Sequence, residues 1–135
     1  MTLEQARAIA AHDNIQALVK SSDEDKKRYA TVIYQTIALV QNAGLVQTLE
    51  FINALSNATK KAAADRFLGH LAAQLKRVDS RITNADTLRD RVRRANLRDY
   101  MHLTRETMAT LVWYRRFVQS ILKIDISAIN EDNES

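Results

Sequence analysis

Three histidines are the first residues to test for reactivity. His12 and Asp13 are adjacent in a segment with helical patterning, and such a pair is a fragment of a metal site. A helical metal-dependent phosphohydrolase built on this dyad also needs a histidine upstream, and none precedes His12. Neither His70 nor His102 belongs to an i, i+4 histidine pair or carries the carboxylate set of a helical metal site. Exposed or structurally hydrogen-bonded histidines are the favoured reading. The chain has no cysteine, which excludes disulfides, thiolate metal sites and cysteine nucleophiles. It shows no glycine-rich phosphate loop or serine elbow either. No catalytic residue, metal ligand or cofactor is expected.

The basic residues carry a clearer signal because count and position agree. Residues 60–116 hold fourteen Lys/Arg against six Asp/Glu, whereas 1–59 hold five against six and 117–135 hold one against four. The net charge of +4 therefore conceals one strongly basic region, and a polyanion is its natural partner. Lys60, Lys61, Arg66, Lys76, Arg77 and Arg81 lie on or near one helical segment, and Arg89, Arg91, Arg93, Arg94 and Arg98 follow on and after the next. Guanidinium groups donate paired hydrogen bonds to phosphate without reading bases. The competing reading is a solvated surface with local pairs such as Asp86–Arg89 and Asp90–Arg94. Trp113 and Phe117, four residues apart, could stack on bases, but core packing or a subunit contact is the favoured role.

These side chains must be carried on helices. The chain lacks proline, has two glycines and is rich in Ala, Leu, Arg and Gln, which favours an all-α fold, a compact bundle of about five or six helices. Thr2-Leu3-Glu4-Gln5 has the form of a capping box and opens a first helix to about Lys20, with Leu3, Ala6, Ala10 and Ala17 on a thin face. Ser21-Ser22-Asp23 reads as a turn and N-cap for a second helix to about Asn42, where Tyr29, Val32, Ile33, Thr36, Ile37 and Val40 recur at helical spacing. Gly44 can take a positive φ and turns the chain into a third stripe, Leu45, Leu49, Ile52 and Leu55, making a tight αα-hairpin.

A fourth helix is expected from about Asn57 to Val78, with Ala64, Phe67, Leu68, Leu71 and Leu75 inward. Gly69 inside it implies either close packing against a neighbour or a tolerated, mildly destabilising residue. Thr83 or Asn84 caps a short fifth helix to about Asn96, with Leu88, Val92 and Ala95 on its apolar strip. The last helix is expected from near Thr104 to about Lys123, burying Met108, Leu111, Val112, Val118 and Leu122, with Arg115 inside that arc. Residues 1–124 are read as a single helical domain and 125–135 as an acidic, flexible tail. No apolar run approaches the roughly 18 residues of a membrane span, and the N-terminus lacks a basic segment followed by an apolar stretch. The expected location is cytoplasmic.

Two runs also carry a resemblance. Asn42-Ala43-Gly44-Leu45-Val46-Gln47-Thr48-Leu49-Glu50-Phe51, then Leu103-Thr104-Arg105-Glu106 followed by Leu111-Val112-Trp113-Tyr114-Arg115-Arg116-Phe117, appear in order with Arg7-Ala8 and Ala11 upstream. The pattern resembles the small-subunit family of type III-B CRISPR effector complexes, the small subunit of the Cmr complex, from about residue 5 to residue 122. Two positions depart from it: Ala43 stands where many relatives have Asn, and Tyr114 where a leucine is common. The resemblance implies a non-catalytic subunit of an antiviral RNA-targeting assembly. Such a subunit stacks with copies of itself, beside backbone and large subunits, along the guide RNA and its target RNA. It implies no cofactor and no membrane. Charge clustering and resemblance together nominate Lys76, Arg77, Arg81, Arg91, Arg94 and Arg98 as the RNA-binding face. The alternatives are the small subunit of a type III-A complex and a standalone helical nucleic-acid-binding module.

Overall fold

Side-chain caps start four of the helices, two of them reciprocally. In the computed structural model, which describes residues 1–55 and 58–127, α1 spans Leu3–Gln16, α2 Asp23–Ala43, α3 Leu45–Asn53, α4 Ala58–Leu75, α5 Ala85–Arg94 and α6 Leu97–Ser120. The described residues contain no strand. Thr2 Oγ1 accepts the Gln5 N–H at 3.1 Å while Gln5 Oε1 accepts the Thr2 N–H at 2.8 Å, the capping box expected from the sequence. Ser22 caps α2, and Asn84 caps α5 through a second reciprocal pair with Thr87. Asn96 caps α6 by accepting the Asp99 N–H at 2.8 Å.

Gly44 joins α2 to α3 at φ 84° and ψ 167°, a conformation open to glycine and costly for other residues. A Cβ there would lie 3.1 Å from the Tyr100 hydroxyl, which itself accepts the Val46 N–H at 3.2 Å. The hairpin turn is thus held from outside by α6. Gly69 is the opposite case, since nothing lies within 4 Å of a Cβ added there, so close packing does not explain it.

The long α6 packs against α1, α2 and α4; α2 also meets α3 and α4, and α5 bridges α3 and α4. The expected inward residues of α2 and α4 are all buried. Tyr29, Phe67 and Tyr114 make successive edge-to-face contacts through the centre, at 6.2 and 6.3 Å between centroids. Gln74, itself buried, ties three helices together. Its Nε2 donates to the Arg7 carbonyl of α1 at 3.1 Å and to the Tyr114 hydroxyl of α6 at 3.2 Å, and that hydroxyl donates to Asn14 Oδ1 at 2.7 Å.

The structure corrects three expectations. The first helix ends at Gln16, and turns carry the chain to Lys20. Its buried side is Ala11 and Ile15, continued by Leu18, rather than Leu3, Ala6, Ala10 and Ala17: Ile15 and Leu18 remove more surface from water than alanines can, and Leu3 stands at the exposed start of the helix. The last helix begins at Leu97, seven residues before Thr104. There Tyr100 and Leu103 pack inward, while the exposed Leu97 and Met101 blur the apolar periodicity. Past α6, Lys123 takes a positive φ of 60° and the Ile124 carbonyl accepts the Tyr34 hydroxyl at 3.1 Å. The remainder of the expected 125–135 tail, from residue 128, lies outside the described residues.

Candidate nucleic-acid interface

The six nominated cations sit at the C-terminal end of α4, in the connection to α5, on α5 and at the start of α6. Their electrostatics are set by carboxylates placed among them. Asp79, 12% exposed, accepts from Arg81 Nε at 3.0 Å and Nη2 at 3.2 Å, and from Arg91 Nε at 3.1 Å. The Arg81 hydrogen bond is the largest cause holding the Asp79 carboxyl down at about 2. Arg81 stays 65% exposed while Arg91 is 20% exposed. Arg91 therefore clamps the α4–α5 connection, and Arg81 faces solvent from that clamp.

Further along α5, both expected local pairs are present. Arg89 Nη2 donates to Asp86 Oδ1 at 2.7 Å, and Arg94 Nε to Asp90 Oδ1 at 2.8 Å. Sequence reasoning did not identify Glu50 on α3 as a third acid in this group. Arg93 Nη2 reaches its Oε1 at 2.9 Å and Arg89 Nη1 its Oε2 at 3.5 Å. The Arg93 hydrogen bond is the main cause lowering the Glu50 carboxyl. Arg94 remains 72% exposed despite its partner.

Lys76 and Arg98 are exposed and make no ion pair among the described residues. Arg77 donates to Gln74 Oε1 and makes no ion pair among the described residues. The ridge therefore presents Lys76, Arg77 and Arg98 as uncompensated charge, Arg81 and Arg94 as exposed but paired cations, and Arg91 as a positioning residue.

The histidines take structural places. His12 Nδ1 lies 3.2 Å from Asp13 Oδ1 and its ring meets Phe117 edge-on at 5.4 Å. His70 Nδ1 is 2.7 Å from the Tyr29 hydroxyl, and burial lowers its pKa. His102 lies 3.8 Å from Glu106, whose carboxylate meets the Arg7 guanidinium. The described residues contain no group of three or more His, Cys, Asp or Glu able to hold a metal ion. None of their helices is long and apolar enough to cross a membrane.

The described residues form a six-helix bundle, and its sequence and fold are similar to those of a class of CRISPR-associated proteins. The family described as "CRISPR-associated protein (Cas_Cmr5)" matches residues 3–121. A curated relative from Thermus thermophilus, the CRISPR system Cmr subunit Cmr5, is 30% identical over 122 residues, covering 90% of this chain and 97% of the relative. A crystal structure of a CRISPR-associated Cmr5 family protein, also from Thermus thermophilus, superposes with a TM-score of 0.76 at 26% identity, covering 90% of this chain and 98% of that one. The chain belongs to the Cmr5 family, as the resemblance in its sequence implied.

Proposed function

We propose that this chain is the non-catalytic small subunit of a type III-B (Cmr) RNA-targeting effector complex, a cytoplasmic assembly for antiviral defence. Family membership across residues 3–121 is the observation that carries the reading. In this role the subunit stacks head to tail with copies of itself, beside the backbone and large subunits, along the channel for guide RNA and target RNA. Heterologous contacts of that kind propagate until another subunit caps them. The ridge of Lys76, Arg77, Arg81, Arg94 and Arg98, held in register by Arg91 on Asp79, supplies a field suited to a duplex recognised along its backbone.

Purification of the tagged chain from its native cells at moderate salt, with mass spectrometry of co-purifying proteins and sequencing of bound RNA, tests the role. Cmr subunits with short guide RNAs are the expected recovery. Type III-A subunits would move it to the sister assembly, and the chain alone or with unrelated RNA would make it a standalone binding module. Within the assembled complex, Arg81→Glu with Arg94→Glu is expected to weaken RNA retention while helicity is kept. Arg91 is avoided in that test because its reversal would also break the Asp79 clamp.

A further inference from the structure

We propose that the solvent face of α6 is a second nucleic-acid site, a track for single-stranded nucleic acid with a place for one unpaired base beside Trp113. It extends beyond the α4–α5 ridge and does not require the assembly role. Arg98, Arg105 and Arg116 are separated by seven and eleven residues, so on a helix of 3.6 residues per turn they point within about 20° of one direction. All three are exposed, and none makes an ion pair among the described residues. They span roughly 27 Å at 1.5 Å per residue. On the ridge, carboxylates alternate with the arginines. On this face α6 itself contributes none, since Glu106 is turned toward Arg7, and Glu4 of α1 lies only at the Arg116 end, in the groove.

At the C-terminal end of the track, Glu4, Arg7, Ala109, Val112, Trp113 and Arg116 line a half-open groove of about 290 Å³ between α1 and α6. The Arg116 guanidinium lies 5.4 Å from the centre of the Trp113 ring, and Phe117 stacks with that ring at 6.0 Å and 26°. Ala109 and Val112 give an apolar lining, Trp113 and Arg116 are planar groups that a base can stack on, and Glu4 and Arg7 offer an acceptor and donors at the sides. Arginines spaced along one line and ending at an aromatic groove match a phosphate backbone that delivers a base. An acidic protein surface would satisfy the charges but leave the groove unexplained.

Trp113 is the sole tryptophan, so its emission reports this site alone. The full-length chain is titrated at low salt with a fluorescently labelled short oligouridylate, recording RNA anisotropy and tryptophan emission together. Binding with quenching of Trp113 is expected. Arg105→Glu with Arg116→Glu should weaken it by about tenfold or more, while Arg105→Lys with Arg116→Lys keeps it. Lys20→Glu with Lys60→Glu, a matched charge reversal at exposed residues outside both the nominated ridge and α6, should change it by about threefold at most, through the general field. Circular dichroism confirms that each variant is folded. Binding without quenching, or an equal loss from the Lys20→Glu with Lys60→Glu pair, overturns the α6 track and leaves the ridge reading intact. No binding also overturns it.

Discussion

Replacing Tyr114 with phenylalanine keeps the ring that meets Phe67 edge-on and deletes only the hydroxyl. That hydroxyl is fully buried, donates to Asn14 Oδ1 and accepts one N–H of Gln74. The other Gln74 N–H retains the Arg7 carbonyl, and its Oε1 retains Arg77. One buried donor is therefore stranded at a cost of about 1–3 kcal/mol. Asn14 is half-buried and can turn toward water, so its loss adds little. The expected destabilisation is about 2 kcal/mol, measured by equilibrium urea denaturation followed by circular dichroism at neutral pH. The midpoint should fall with the slope unchanged. Adding Gln74→Leu removes the stranded donor, so the double variant should be more stable than the sum of the single losses by about 1 kcal/mol. A single loss below about 0.5 kcal/mol, or strict additivity, would refute the view that this hydroxyl joins α1, α4 and α6. The same burial raises the Tyr114 hydroxyl to about 12. Its ionised form is disfavoured in the fold, so its stabilising contribution is complete below pH 10 and lost as pH rises through 12, a loss that the phenylalanine variant should attenuate.

The two glycines should respond in opposite directions. Gly44→Ala places a Cβ at a positive φ and 3.1 Å from the Tyr100 hydroxyl, and is expected to cost about 1–3 kcal/mol by thermal denaturation. Gly69→Ala adds a methyl group to open space inside α4 and should stabilise by about 0.5–1 kcal/mol in the same assay. Asp79→Asn loosens the clamp on Arg81 and Arg91 and should destabilise the fold at neutral pH. Because the folded-state pKa is depressed from 3.8 to about 2, the stability it carries is present above pH 4 and lost as pH falls toward 2. The gap between wild type and Asp79→Asn in acid titrations of unfolding should close across that range, and a constant gap would show that charge is not its source.

Local signals in the sequence were sufficient for the helix start at Thr2, for those at Ser22 and Asn84 to within a residue, for the Gly44 turn, and for the buried stripes of α2 and α4. Each depends on neighbours within about one helical turn, where side-chain spacing translates directly into geometry. The Asp86–Arg89 and Asp90–Arg94 pairs were legible for the same reason. Tertiary structure decided what no local rule reaches. It placed Glu50 against α5 from thirty-nine residues away and made Gln74 the junction of three helices. It also turned Glu106 onto Arg7, leaving Arg98, Arg105 and Arg116 without an ion pair among the described residues. The charge count of residues 60–116 gave no means of separating a compensated ridge from an uncompensated one, because net charge sums over a segment while electrostatic potential depends on which side chains meet in space.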